Sequence, residues 1–312
     1  MWSTLGILLP LFALMAAGFI ARRQKVLDGH AAGVLNAFVV WLSLPALLFE
    51  VTATSAWSVL WQPGFIAAFG LATALVFAAV LGLRLRAGRH LADASVDAVA
   101  ASYSNTAYVG LPLCLLVFGQ GSQVEATIAT LIVVCVLFSL AVVLIEVGLQ
   151  AEGRLNARTL RLALVRSLKN PLVAASILGG LFSGLGVTLP AAVQAFLKLI
   201  GQAATPCALV CLGAFLADRP RSAAGRLQTP LLLSGVKLFA MPLLTWVFAQ
   251  AVFHLPVRTV HCAVLLAALP TGTGPFMLAE FYRREAGVTS SATLITTLLS
   301  LLTLTVLLVA MA

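Results

Sequence analysis

The chain has 312 residues, of which 61% are hydrophobic and only 9% charged, with a formal net charge of +9. A soluble domain carries roughly 25% charged residues, so this chain cannot cover a water-facing surface, and its natural solvent is lipid. A nucleic-acid-binding domain is excluded as well, because the basic residues are spaced along the chain between apolar runs and not gathered into a patch.

A hydrocarbon core of about 30 Å takes roughly 20 apolar residues to cross. On that measure, spans are predicted near 3–21, 31–50, 63–83, 97–118, 124–148, 171–187, 190–217, 229–251, 258–281 and 288–311. The first follows Met1-Trp2-Ser3-Thr4, which lacks the basic start of a cleaved signal peptide, so it reads as a retained helix. Alternate loops then collect the positive charge. They hold Arg22, Arg23 and Lys25; Arg84, Arg86 and Arg89; Arg154, Arg158, Arg161, Arg166 and Lys169; Arg219, Arg221 and Arg226; and Arg283 and Arg284. These are sixteen of the 19 Lys and Arg residues; the other loops hold Arg258 alone, and Lys198 and Lys237 fall inside spans. Basic loops stay on the cytoplasmic side, so both termini are expected on the periplasmic side of a bacterial inner membrane. The five cysteines (Cys114, Cys135, Cys207, Cys211, Cys262) lie in apolar runs and read as small apolar filler, with no metal-ligand set and no cofactor motif.

The two halves of the chain echo one another. Ile128-Ala129-Thr130-Leu131-Ile132 matches Ser291-Ala292-Thr293-Leu294-Ile295 at an offset of 163, and the same offset carries Pro112 onto Pro275. An offset of 161 carries Pro45 onto Pro206. The predicted fold is therefore an all-α membrane protein of ten transmembrane helices, arranged as two five-helix inverted repeats. The first repeat covers 1–150, a basic cytoplasmic linker 151–170, and the second repeat 171–312. Because five is odd, the second repeat enters the membrane from the opposite face.

Span 4 reads Ala101-Ser102-Tyr103-Ser104-Asn105-Thr106-Ala107-Tyr108-Val109-Gly110-Leu111-Pro112, and span 9 reads Leu269-Pro270-Thr271-Gly272-Thr273-Gly274-Pro275-Phe276. Proline removes a backbone donor and clashes with the preceding turn, so both helices are expected to break near mid-membrane. Unwound backbone is tolerated there only where protein or a water-filled cavity satisfies it. Pro112 and Pro275 suit the first turn of a new helix, where a missing N–H costs nothing. Two half-helix N-termini then aim free N–H groups at the midplane, a site for an anion. The expected substrate-binding residues are Asn105, Thr106, Tyr108, Thr271, Gly272 and Thr273, with Gly110, Pro112, Pro270, Gly274 and Pro275 forming the breaks. Lys198 and Lys237 are candidate anion partners, against the alternative that each snorkels to an interface. No Asp or Glu lies in either break, while Glu50, Glu146 and Glu280 fall near span ends. Asn36 either faces the cavity or serves helix packing.

Asn105-Thr106 with Gly110-Leu111-Pro112, the Pro270–Pro275 break, and Ala204-Thr205-Pro206 with Leu212-Gly213 together resemble the auxin efflux carrier family. Arg166-Ser167-Leu168-Lys169-Asn170-Pro171 and Leu298-Leu299-Ser300-Leu301-Leu302-Thr303 extend the resemblance over nearly the whole chain. It implies a ten-helix fold with spans 4 and 9 crossing, a scaffold of spans 1, 2, 6 and 7, and elevator-like transport. In the bacterial branch it implies malonate or a related organic acid as substrate. By the same resemblance, Asn105, Pro112, Pro270 and Pro275 take the crossover positions. The long cytoplasmic loop of many plant members is missing.

An enzyme would need a nucleophile or metal motif such as G-x-S-x-G or H-E-x-x-H, and none is present; His30, His90, His254 and His261 are scattered. A channel would want a ring of like polar groups, whereas two broken helices in inverted halves favour alternating access. The expected activity is secondary transport of a small carboxylate, with a sodium-coupled organic-anion symporter of the bile-acid type or an anion channel as the alternatives. The expected partners are that substrate and the bilayer, without nucleic acid, and the sequence is compatible with a homodimer.

Overall fold

The structure is a computed structural model that describes residues 2–54, 61–150, 161, 165, 168–169, 171–218 and 227–311. Most of the predicted linker 151–170, with Arg154, Arg158 and Arg166, lies outside the described residues, as do Arg219, Arg221 and Arg226. The side chains of Tyr108 and Pro112 are also outside the description, and only their backbone is considered below. In chain order the helices are α1 (Trp2–Arg23), α2 (Ala31–Thr54), α3 (Pro63–Arg86) and α4 (Leu91–Ser102). Next come α5 (a π-helical turn Thr106–Gly110 running into Leu111–Phe118), α6 (Val124–Gln150), α7 (Pro171–Gly184) and α8 (Ala191–Asp218). Last are α9 (Gln228–Val252), α10 (Val257–Ala267), α11 (Gly274–Phe281) and α12 (Ala286–Met311). No strand occurs among the described residues. Helices satisfy their own backbone, which is the condition for crossing lipid.

Among the described residues, six helices (α2, α3, α6, α8, α9 and α12) are both long and apolar enough to cross a membrane. The fourth and ninth predicted spans are not continuous helices: each is a pair of shorter ones, α4 with α5 and α10 with α11. The prolines leave a recurring mark. Widened π turns at Val39–Ser43, Thr106–Gly110 and Val236–Ala240 stand just ahead of Pro45, Pro112 and Pro242. A proline ring collides with the carbonyl four residues back, and one extra residue in the turn relieves that clash without ending the helix. Pro206 follows a different irregularity, a turn at Ala203 between the two parts of α8.

The helices pack as two groups. In one, α1 lies along the second part of α8, α7 lies along the second part of α2, and α8 also packs on α2. Backbone meets backbone here. A Cβ on Gly213 would stand 2.0 Å from the Met15 carbonyl oxygen, and one on Gly18 would stand 2.2 Å from the Val210 oxygen. Gly179 on α7 is pressed against Thr52 of α2 in the same way. In the other group α4 packs on α3, α6 and α11, α9 on α3, α10 and α12, and α12 on α11.

At the end where the basic residues gather, ion pairs stitch the second group together. Arg84 Nε donates to Asp97 Oδ2 at 2.7 Å, Arg284 Nε to Asp93 Oδ1 at 2.7 Å, and Arg89 pairs with Glu285. Tyr282 Oη donates to Glu146 Oε1 at 2.9 Å. The N-terminus of α4 is capped by His90, whose Nδ1 accepts from the Ala92 N–H, and Asp93 lies in its first turn, where the helix dipole favours a negative charge. Burial alone would raise the Asp93 carboxyl, but the Arg284 guanidinium on it holds it below the ordinary value.

Candidate functional site

The two broken helices meet at their breaks. Helix α4 stops at Ser102, and Tyr103 and Asn105 leave helical geometry (φ −84°, ψ 94° and φ −77°, ψ 59°). Helix α10 stops at Ala267, and Ala268–Thr273 carry the chain to α11. The unwound segments pair as a short antiparallel bridge at Ser104 and Thr271. The Asn105 N–H donates to the Pro270 carbonyl at 3.0 Å, and the Gly272 N–H donates to the Tyr103 carbonyl at 3.1 Å. Each break thus satisfies part of the other's exposed backbone, which answers the cost of unwinding inside an apolar medium.

Each half-helix that enters the crossing also needs its last carbonyls met. For α4, the Thr271 hydroxyl donates to the Ala100 carbonyl at 2.9 Å, while the Thr271 N–H is taken by Thr296 Oγ1 at 3.1 Å. For α10, Lys237 Nζ of α9 donates to the Ala267 carbonyl at 2.6 Å. Lys237 is fully buried, so it does not snorkel. Lys198, by contrast, is exposed on α8.

A cavity of about 20 Å³ sits against the crossing. That is room for about one water. One wall is polar and belongs to the breaks: Tyr103, Ser104, Asn105 and Thr106 from the first, Gly272, Thr273 and Gly274 from the second. The opposite wall is apolar and belongs to the other helix group, with Val39, Leu44 and Leu47 of α2 and Ala204 and Ala208 of α8. No Asp, Glu, Lys, Arg or His side chain lines the cavity, and no group of three or more metal-ligating side chains occurs among the described residues.

On the polar wall, the Ser104 and Thr106 hydroxyl oxygens are buried without a hydrogen-bond partner. Such orphans are uncommon in folded proteins, and each costs about 1–3 kcal/mol unless a ligand or water meets it. Helix α11 begins at Gly274 with Pro275 in its first turn, so the N–H groups of this N-terminus are directed at the crossing. Helix α5 begins at Thr106, where the Asn105 carbonyl accepts from both the Val109 and Gly110 N–H groups. Glycine is required where the segments press together. A Cβ on Gly272 or on Gly274 would approach the Tyr103 ring to 2.8 Å, and that ring is itself held edge-on against Phe138.

Asn105, Thr106, Gly272 and Thr273 of the expected binding residues therefore line one cavity. Thr271 stands behind it, its hydroxyl committed to α4. The Tyr108 backbone belongs to the π turn. Gly110 packs against Leu266 and Leu269 of the other broken span, so it serves the crossing itself. Pro112 stands in the first turn of the α-helical segment Leu111–Phe118, as the sequence suggests, but the helical run starts earlier, with the π turn at Thr106. Neither lysine lines the cavity, and Asn36 is buried away from it. Ser104 was missed, although its place in a Tyr-Ser-Asn-Thr run between two apolar helices marked it.

A family model described as "Membrane transport protein" matches residues 4–308. The chain is 30% identical over 303 residues to a Rhizobium meliloti (strain 1021) protein described as "Putative malonate transporter", covering 96% of this chain and 93% of that one. It is 24% identical over 356 residues to a rice (Oryza sativa subsp. japonica) protein described as "Probable auxin efflux carrier component 5c", covering 96% and 95% of the two chains. "Uncharacterized transporter YfdV" of Escherichia coli (strain K12) is 24% identical over 280 residues, 88% of this chain and 87% of its own. With crossed, broken helices around a small polar cavity and a family match over almost its full length, the chain belongs to the membrane transport protein family that includes the auxin efflux carriers.

Proposed function

We propose that the protein is a secondary transporter that moves a small carboxylate, malonate-like in size and charge, across a bacterial inner membrane. The observation that carries this reading is the pair of orphaned hydroxyls, Ser104 and Thr106, in a cavity that also receives the N-terminus of α11. Hydroxyl donors and free N–H groups without a carboxylate nearby suit a negatively charged ligand. Holding it with neutral donors keeps the affinity modest and release easy. The similarity to the Rhizobium protein supports malonate as the first substrate to test.

The two walls suggest how the ligand travels. All the polar contacts belong to the crossing group, and the facing wall of α2 and α8 is apolar and featureless. A bound anion would stay with the crossing group while that group slides along α2 and α8, opening the cavity to one side and then to the other. The glycine-locked contacts of α1 with α8 and of α7 with α2 fit a stationary scaffold. In this reading ten spans form two inverted five-helix repeats, and both termini face the periplasm.

Radiotracer counterflow in liposomes tests the function. Malonate preloaded inside should accelerate entry of labelled malonate, which a channel does not do. Exchange of an amine or a neutral sugar, with none of any carboxylate, would overturn the assignment.

A further inference from the structure

Lys237 takes no part in the cavity, yet it is the one lysine buried completely within the described helices. Burying an ammonium costs several kcal/mol unless something compensates it. No carboxylate does so: the four ion pairs of the described residues (Arg22 with Asp218, Arg84 with Asp97, Arg89 with Glu285, Arg284 with Asp93) all lie at the basic end of the molecule. What meets Lys237 is the Ala267 carbonyl, the last residue of half-helix α10, at 2.6 Å. That short contact brings the Lys237 amino group to the negative end of a helix dipole, a place that favours its charged form.

In carriers built on broken helices, half-helix C-termini and unwound carbonyls are where a coupling cation is held. We infer that the Lys237 ammonium is a tethered cation that fills this position permanently, fixing the end of α10 so that the second break keeps its shape without a bound metal ion. The helix that carries Lys237 packs on both α10 and α12, so the side chain is enclosed where it meets the end of α10. The opposite half-helix end needs no charge, since the neutral Thr271 hydroxyl meets the Ala100 carbonyl of α4. Lys237 is thus a positioning residue, and the inference rests on reading the crossing as the carrier's binding site.

The test uses purified full-length protein in detergent, with unfolding midpoints measured without substrate, and malonate counterflow in liposomes alongside. The wild type should have the same midpoint in sodium and in choline chloride. Lys237→Ala should unfold several degrees lower and be restored by n-butylammonium but not by n-butanol. Lys237→Met, which fills the space without charge, should stay low in both additives. Counterflow should follow the same order. A pure packing role predicts instead that Met or butanol restores the protein, and either result would overturn the inference. A wild type stabilised by sodium over choline would also overturn it, because the position would then be open to an external cation. If Lys237→Ala cannot be purified, Lys237→Arg against Lys237→Met decides, and Met being the more stable of the two contradicts the proposal. Failure of the wild type to exchange malonate would remove the proposed substrate while leaving the midpoint comparison intact.

Discussion

The two breaks perform one task with different parts. The first is built from side chains: Ser104, Asn105 and Thr106 bring oxygen and amide groups to the cavity, and the chain re-enters a helix immediately at Thr106. The second is built from backbone shape: Gly272 and Gly274 let the chain pass under the Tyr103 ring, and Pro275 starts a helix whose N-terminus faces the crossing. On the proposed reading, the difference separates specificity from geometry. Chemistry in the first break can be edited with the fold intact, whereas the second break tolerates little change of volume.

The largest effect is expected from enlarging the second break. In Gly274→Ala the new Cβ meets Tyr103 at 2.8 Å and Phe138 at 3.0 Å, both rigid rings. Overpacking of this kind costs about 1–3 kcal/mol or more. The matching change in the first broken span, Gly110→Ala, meets the flexible tips of Leu266 and Leu269, each at 2.9 Å, and the Thr106 Cβ at an ordinary 3.5 Å. Detergent unfolding midpoints should fall clearly further for Gly274→Ala than for Gly110→Ala, and the reverse order would break the comparison.

Editing the first break should move binding, not folding. Asn105→Ala removes one neutral hydrogen-bonding group from the cavity, a loss of about 1–3 kcal/mol, or roughly 5- to 150-fold in affinity. Thr106→Val removes an orphaned hydroxyl at nearly constant shape, so its unfolding midpoint should stay level or rise while malonate exchange falls. A drop in midpoint with unchanged exchange would assign Thr106 to the fold alone.

A smaller effect is expected at the basic end. Because Arg284 holds the Asp93 carboxyl below its ordinary value, the pair's contribution to stability is complete above the unfolded carboxylate value of about 4. It fades as pH falls through the lower folded value. The midpoint difference between wild type and Asp93→Asn should therefore be constant from neutral pH to about pH 5 and shrink only in stronger acid. A difference that grows with acidity would contradict the sign.

The placement of both breaks was legible because Gly, Pro and hydroxyl residues are rare inside apolar spans, and Tyr103–Pro112 and Pro270–Pro275 stand out at once. The consequence of each proline was less legible. Pro112 and Pro275 look alike in sequence and each stands in the first turn of an α-helical segment, yet a π turn precedes the one and an unwound segment the other. Whether a helix widens or stops depends on the residues ahead of the proline, Thr106–Gly110 in one span and Ala268–Thr273 in the other, and on what they pack against. Thr271 was misjudged for a related reason. Its hydroxyl could serve a ligand or a carbonyl, and only the crossing places Ala100 within its reach. Lys237 was visible as an ionisable residue inside a span, but its partner is a backbone carbonyl, which leaves no trace in side-chain patterns.

The central claim, that the crossing holds a small carboxylate through the first break's hydroxyls, is tested most directly by ligand-induced stabilisation. A ligand that binds only the folded state adds about 2.7 kcal/mol of stability at a hundredfold excess over Kd, and so raises the midpoint with concentration. Malonate should stabilise the wild type in this way. It should not stabilise the double variant Ser104→Ala, Thr106→Val, whose own midpoint should match or exceed that of the wild type. A double variant that keeps the full malonate shift, or a wild type that responds to amines or neutral sugars and to no carboxylate, would contradict the account.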